Sequence, residues 1–517
     1  MSQVNILWAD DEIELLKPHI IFLESKGYSV STVNNGADAI EQVQEEYFDI
    51  VFLDENMPGI SGLEALQAIK EEDPTLPVVM ITKSEEEEIM EEAIGAKISD
   101  YLIKPVNPHQ ILMSLKKNLD EKRLRSEKTT VGYQQDFREI GMKLMDRLSV
   151  DEWYELYRKM VYWNLALEES EDMGMEEIFR TQMTEANSQF ARFVSDNYVD
   201  WVQGSEDAPV MSHTLFKRKI NPVMQEADGP VFLVVIDNLR YDQWKILQPI
   251  IGEHFRVESE EMFMSILPTA THYARNAIFS GVMPSEMATM FSDWWKNEED
   301  EGGKNMHEKD FLGAQLKRLG FNGRWSYNKI TNLNAGRKLA DNFNQLLNNE
   351  FNVIVYNFVD MLSHARTEME VIKELADDEA AYRSITQSWF EHSPLLEMLR
   401  SISEANGRLI ITTDHGTVKV EEPVKIIGDR NTNTNLRYKA GKNLNYEAKD
   451  VFEIRNPQDA HLPRQNVSTA YVFAKERGFF VYPNNYNHFV NFYRNTFQHG
   501  GISMEEMMIP FVTLVPK

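Results

Sequence analysis

"RLIITTDHGTV", residues 408–418, passes from an apolar, β-branched run directly into an acid, an imidazole and a glycine. Leu409, Ile410 and Ile411 have the composition of a buried strand, and Gly416 that of a turn. Asp414 and His415 therefore stand together where a strand ends. Two other apolar runs, "VFLVVID" (231–237) and "FNVIVYNFVD" (351–360), also close on an aspartate. Uninterrupted runs of this kind suit central parallel strands buried on both faces, and long helical and loop sequence separates them. The C-terminal part of the chain is thus expected to be an α/β domain with carboxylates at its strand ends.

The whole chain has 517 residues, too many for one ordinary core, so two or three domains are expected. Its 42% hydrophobic and 26% charged content is that of a globular protein. With no cysteine, disulfides, thiolate metal sites and thiol nucleophiles are excluded, and a reducing compartment is suited. The start "MSQVNILWADDE" has no basic leader, and no apolar run reaches the length of a membrane span. The expectation is a cytoplasmic protein without membrane insertion. A net charge of −29 argues against sequence-specific DNA binding, which needs basic surface to neutralise phosphates. A phosphate ester held at one site by bound cations remains compatible with it.

Residues 1–120 carry five candidate strands at regular spacing, "VNILWA", "YSVSTV", "FDIVFLD", "PVVMIT" and "DYLIKP". Amphipathic stretches such as "ISGLEALQAIKEE" and "EEEEIMEEAIGA" separate them, which predicts a doubly wound, five-stranded parallel sheet. Asn107 and Pro108 supply an N-cap and an N1 proline for the last helix. From 121 to 204 strand signals vanish, and apolar residues recur at helical spacing with acids and bases interleaved. This predicts a helical bundle, a spacer or dimerisation element without the basic face of a DNA-reading helix. A looser stretch near 203–230 leads into the third segment, 205–517.

In the first segment strand one ends in Asp10 and Asp11, strand three in Asp54, strand four in Thr82 and strand five in Lys104. The C-terminal edges of a doubly wound sheet converge on one crevice. Three clustered carboxylates repel one another unless a cation such as Mg²⁺ lies among them. One carboxylate can then attack a phosphoryl donor, with Thr82 and Lys104 binding the new oxygens. With "ADDE", "LDENMPG", "ITKS" and "LIKP" in this order, residues 1–120 resemble a CheY-like response-regulator receiver domain. The resemblance implies phosphorylation of Asp54 by a sensor histidine kinase. It also implies Mg²⁺ held by Asp54, by Asp10 or Asp11 and by the Asn56 carbonyl, a Thr82–Tyr101 switch pair, and a cis Lys104–Pro105 bond. Pro18 and Glu55 are small departures from the pattern.

In the third segment, Asp237, Asp360 and Asp414 end strands, and His364 lies four residues after Asp360, on the same face of a helical turn. His499 sits in "FQHGGISMEEMMIP", where two glycines let the backbone approach a crowded centre. Carboxylate and imidazole donors suit Zn²⁺. Thr269 and Thr271 in "LPTATHYARNAIFSG" are both candidate nucleophiles, and spacing alone does not separate them. The pattern resembles the alkaline phosphatase superfamily, most closely its PglZ-type branch, over roughly 205–517. That resemblance implies one zinc on Asp237, Asp414, His415 and Thr271, and another on Asp360, His364 and His499. It favours Thr271 as nucleophile, with Arg275 and Asn276 facing the phosphate. The threonine and the absence of cysteine count against a sulfatase, which builds its nucleophile from Cys or Ser, and threonine with two metals points to diester more than to monoester hydrolysis.

Residues 425–450 hold six Lys or Arg against three acids and five Asn, readable as a basic lid over phosphates or as a solvated insertion. Receiver, helical bundle and PglZ-type domain in this order resemble the atypical response regulators associated with type IX secretion in Bacteroidetes. This resemblance implies phosphodiesterase activity on linear or cyclic oligonucleotides, control of secretion genes and a phosphorylation-promoted homodimer. A rival expectation is an output domain that docks a sigma factor or secretion component with little catalysis.

Overall fold

The computed structural model describes residues 4–517 except 75, 84–97, 171–172, 299, 301, 363–377, 430–431 and 465, with only the backbone described at 120–128 and 173. The expected helix "EEEEIMEEAIGA" and the candidate ligand His364 lie outside the described residues. The chain divides into two compact units, Met1–Gln135 with Glu169–Asp172, and Asp136–Glu168 with Met173–Lys517. No described helix is long and apolar enough to cross a membrane.

The first unit contains a five-stranded parallel sheet in the order β2-β1-β3-β4-β5. Its strands are β1 (Asn5–Ala9), β2 (Ser29–Val33), β3 (Ile50–Asp54), β4 (Val78–Thr82) and β5 (Asp100–Ile103). Alternate residues face opposite layers. Leu7, Ala9, Val51, Leu53, Val78 and Met80 enter one core, whereas Ile6, Trp8, Ile50, Phe52, Val79 and Ile81 enter the other. Period-two side chains that are apolar on both faces are what helices on both sides of a sheet require. The Asn107 side chain accepts from the Gln110 amide at 2.9 Å, and Gln110 returns the bond to the Asn107 N–H at 3.0 Å. The helix Pro108–Met145 therefore starts at the expected cap.

The second unit opens with helical-linker sequence. In the helix Val150–Ser170 the buried side chains Trp153, Leu156, Tyr157, Met160, Trp163 and Leu167 recur at three- and four-residue intervals, which is one face. The helix Met173–Val202 buries Phe190, Val194, Tyr198 and Trp201 in the same way.

Beyond the linker lies a six-stranded mixed sheet. Its three central strands are the three apolar runs: β6 (Val231–Ile236) lies between β9 (Phe351–Tyr356) and β10 (Arg408–Thr412), all parallel. β8 (Trp325–Ile330) extends the β9 edge in parallel. On the other side an unforeseen C-terminal strand, Met508–Pro516, pairs antiparallel with β10 and with β7 (Phe255–Met264). This reversal positions the site. The start of an antiparallel strand meets the ends of its parallel neighbours, so residues 499–507 arrive beside Asp237, Asp360 and Asp414. β7 runs with the parallel set, and its C-terminal end delivers residues 265–271 to the same edge.

The basic stretch 425–450 is solvated only in part, with Lys425, Lys442 and Lys449 exposed. Tyr438–Gly441 is a strand paired with Ala470–Ala474, and Arg437 and Lys439 are buried. Arg437 is consumed by an ion pair with buried Glu506.

Candidate functional site

In the first unit the carboxylates of Asp10, Asp11 and Asp54 offer oxygens within 4.8 Å of one another. Asp10 and Asp54 are buried, whereas Asp11 and Asn56 are exposed on the loops after β1 and β3. Lys104 reaches both buried acids, at 2.7 Å from Asp10 and 2.9 Å from Asp54. Burial raises the Asp54 carboxyl above the usual range, against the pull of the Lys104 ammonium. One ammonium cannot neutralise three acids, and the Asp54 Oδ1 atom is buried without a hydrogen-bond partner among the described residues. That donor set fits a small divalent cation with hard oxygen ligands. Thr82 hydrogen-bonds Tyr101, and Lys104–Pro105 is cis.

In the second unit, Asp237, Asp414 and His415 present ligand atoms within 4.8 Å of one another, all three buried. Thr271 opens the helix Thr271–Ser280, and its Oγ1 lies 3.1 Å from His415 Nε2 and 3.4 Å from Asp237 Oδ1. The His415 Nδ1 atom faces the Gly416 carbonyl at 3.1 Å. A carbonyl only accepts, so Nδ1 carries the proton, and Nε2 accepts from the Thr271 hydroxyl. His499 is held likewise, its Nδ1 3.1 Å from the Thr269 carbonyl. Its Nε2 is thereby turned toward Asp360 Oδ1, 3.7 Å away. The two imidazoles stack with centroids 4.3 Å apart, so the two groups of donors adjoin. Backbone carbonyls that fix Nδ1–H are the usual outer support of a metal-binding histidine.

Burial pushes the Asp237 carboxyl up to about 7, against the Arg275 guanidinium that pulls it down. Asp414 is raised by the same desolvation, and its Oδ2 atom has no hydrogen-bond partner among the described residues. Two buried acids whose charge costs this much, beside oriented imidazoles, fit a bound divalent cation. Of the two threonines, only Thr271 meets these ligands. Thr269 is fully buried, its hydroxyl donating to the Gly501 carbonyl at 2.9 Å and accepting from Gly500 N–H at 3.0 Å. The proposed phosphate contacts are otherwise engaged. Arg275 is buried between Asp237 at 2.7 Å and Glu308 at 2.6 Å, and the Asn276 amide donates to the His272 carbonyl at 2.9 Å.

Three residues escaped sequence reasoning. Glu506 accepts from Gly501 N–H at 2.9 Å, from the Ser503 hydroxyl at 2.7 Å and from Arg437 at 2.6 Å, tying the His499 loop together. Glu308 neutralises Arg275. Asn187, on the linker helix, holds Glu505 and the Met504 N–H in the turn that follows His499. Asn187 left a trace, an amide among apolar positions at helical spacing, whereas neither glutamate had a local signal.

Comparison with known proteins agrees with this layout. Residues 6–116 match the response regulator receiver domain, residues 123–202 the PorX response regulator linker domain, and residues 215–514 the BREX system PglZ alkaline phosphatase-like domain. The alginate biosynthesis transcriptional regulatory protein AlgB of Pseudomonas syringae is 35% identical over 123 residues, covering 24% of this chain and 28% of AlgB. The transcriptional regulatory protein ResD of Bacillus subtilis is 31% identical over 115 residues, covering 22% of this chain and 48% of ResD. The chain therefore spans less than half the length of either relative. A crystallised CheY-like receiver domain from Methanospirillum hungatei is 28% identical, with 23% of this chain and 96% of that one covered and a TM-score of 0.23. With the alkaline phosphatase-like match extending over more than half of its length, the chain belongs to the PglZ family, carried behind a response-regulator receiver and a linker of the PorX type.

Proposed function

We propose that this chain is a two-component response regulator with a zinc-dependent phosphodiesterase output, built as a receiver at 1–120, a linker at 121–204 and a catalytic domain at 205–517. A sensor histidine kinase phosphorylates Asp54, with Mg²⁺ held by Asp10, Asp11, Asp54 and the Asn56 carbonyl, and Lys104, Thr82 and Tyr101 reading the new phosphate. The single observation that carries the output reading is the Thr271 hydroxyl, placed against Asp237 and His415 at a helix N-terminus.

One zinc would be held by Asp237, Asp414, His415 and Thr271, and a second by Asp360, His364 and His499. When bound, these ions supply Lewis-acid charge for the Thr271 oxygen and for the phosphoryl oxygens. Thr271 forms the new bond to phosphorus and gives up its hydroxyl proton as the ester oxygen leaves with its electron pair and takes up a proton. Water then cleaves the phosphothreonine bond, releasing the phosphate monoester and returning a proton to the Thr271 oxygen. The helix beginning at Thr271 directs its positive end toward the developing charge. Linear or cyclic oligonucleotides are the proposed substrates. Control of type IX secretion genes and phosphorylation-promoted dimerisation complete the reading.

The test is zinc analysis of the purified protein together with hydrolysis of a chromogenic phosphodiester by wild type and Thr271→Ala. Activity in the wild type that disappears in the variant is the expected result. Equal activity in both, or no bound zinc, defeats the reading and leaves a protein-docking output, to a sigma factor or secretion component, in its place.

A further inference from the structure

The helix Met173–Val202 belongs to the linker, yet two of its polar side chains are spent on the candidate metal site. Asn187 is 1% exposed. A buried amide on a helix is costly unless every donor and acceptor is met. Its Nδ2 donates to both Glu505 carboxylate oxygens, at 3.0 and 3.2 Å, and its Oδ1 accepts from the Met504 N–H at 2.8 Å. Eleven residues on, three helical turns along the same face, the Tyr198 hydroxyl accepts from the Leu267 N–H at 2.7 Å.

These contacts hold two segments that carry site residues. Asn187 holds the turn Ser503–Met507. That turn holds Gly416 through the Glu506 carbonyl at 3.2 Å, and Gly501 through the Glu506 carboxylate at 2.9 Å. Its last residue, Met507, accepts from Ser265 N–H at 2.8 Å, and the Ser265 hydroxyl donates to the Asp414 carbonyl at 2.7 Å. Asp414, His415 and His499 are therefore each within one or two bonds of a turn whose outer anchor is Asn187. Tyr198 fixes the backbone four residues before Thr271.

We propose that the linker helix Met173–Val202, through Asn187 and Tyr198, is the positioning element of the PglZ-type metal site, so that the linker sets the output domain's affinity for zinc and its turnover. This rests on the zinc phosphodiesterase reading, while the contacts themselves do not. Both residues act through others and touch neither metal nor substrate.

The experiment compares wild type, Asn187→Ala, Tyr198→Phe and the swap Asn187→Asp/Glu505→Gln in the full chain. The swap exchanges donor and acceptor while keeping the Met504 contact. Three readouts are taken: hydrogen exchange of peptides covering 266–271 and 499–507, zinc affinity by competition with a chromophoric chelator, and kcat and KM on a chromogenic diester. Phe179→Leu, in the same helix but away from the turn, controls for general loosening. Asn187→Ala is expected to speed exchange in 499–507, weaken zinc at least about tenfold and lower kcat with KM nearly unchanged, with the swap restoring most of each. Tyr198→Phe does the same to 266–271. Wild-type exchange at both segments in both single variants, or equal effects from Phe179→Leu, overturns the inference. A wild type that binds no zinc instead defeats the phosphodiesterase reading, and the exchange data still decide the positioning role. If Asn187→Ala fails to fold, Tyr198→Phe and the swap carry the test.

Discussion

The two carboxylate clusters of this chain obey one topological rule and differ in almost everything else. Both form where parallel strands end, because that edge gathers residues far apart in sequence. In the receiver, Asp10 and Asp54 are held by the Lys104 ammonium, and Asp11 stands in solvent. The cluster is all oxygen, and its proposed nucleophile is itself a carboxylate. In the output domain Asp237 and Asp414 are buried with His415, the cation beside them is the guanidinium of Arg275, and the proposed nucleophile is a hydroxyl. Oxygen-only ligands with an open side suit Mg²⁺ and a transient phosphoryl group, whereas buried imidazole and carboxylate suit a retained zinc. The fold supplies the crevice, and the donor set decides what it can hold.

This contrast can be broken most sharply at the nucleophiles. Asp54→Ala is expected to abolish receiver phosphorylation outright while leaving zinc content and basal diester hydrolysis in place, as read on a phosphate-retarding gel and in the hydrolysis assay. Labelling at another residue would break the comparison at its first site. Thr271→Ala is expected to lower diester hydrolysis by at least about 10³-fold with phosphorylation unaffected, as loss of a covalent nucleophile does elsewhere. Thr269→Ala, which removes a buried loop contact, is expected to cost stability first. A larger activity loss at Thr269 than at Thr271 would reassign the nucleophile.

A third prediction concerns Gly416. A methyl there would lie 2.0 Å from the Glu505 carbonyl oxygen, which is main chain and cannot swing away. Gly416→Ala is therefore expected to lower unfolding stability by about 2 kcal/mol or more, measured as a drop in urea midpoint. The matching receiver glycine, Gly62, would set a methyl 2.4 Å from the Asp54 carbonyl. Gly62→Ala should strain the first unit and leave zinc binding untouched.

The smallest expected effect is on pH. Asp237 has its folded pKa raised from 3.8 to about 7 by burial. A raised carboxyl keeps its proton in the folded state, so its stabilising contribution is present at low pH and is lost as the pH climbs through about 7. Metal-free protein should lose stability over that interval. Zinc must displace this proton, so its affinity should rise by up to about tenfold per pH unit below neutrality, as followed by chelator competition. Asp54 is raised in the same direction by burial, with Lys104 opposing. A zinc affinity that is flat from pH 5 to 7 would remove the distinction between a buried and an open cluster.

Much of this was legible in residue order. The central receiver strands β1, β3 and β4 and the three central strands of the output sheet are apolar runs of strand length, and their burial on both faces is a property each run states locally, whereas the edge strands β2 and β5 are only partly buried. Asp237 and Asp414, just past β6 and β10, follow from the same reading, whereas Asp360, expected to end its strand, lies in a helical turn four residues beyond β9. Helical spacing announced the linker, and an asparagine–proline pair announced the cap of the receiver's last helix. Gly416 was legible only as a turn. Its packing shows a different cause, the close passage of the Glu505 main chain. The stretch 425–450 misled because charge counts do not say whether a base faces water. Arg437 is fully buried against Glu506, a partner 69 residues away.

The sequence by itself determined the parallel strands, the linker helices and the acids Asp10, Asp54, Asp237 and Asp414 at or just past strand ends, because periodicity and strand termination are local. Only the tertiary structure decided that the C-terminal strand runs antiparallel beside β10, bringing His499 and Glu506 to the same edge as Asp414. Only it separated Thr271 from Thr269, by burying one hydroxyl in a loop and aiming the other at Asp237 and His415. It also showed that the anchor of the Ser503–Met507 turn is Asn187, some three hundred residues away in the chain. Such pairings carry no local signature, since they depend on which surfaces meet once the apolar faces have been buried.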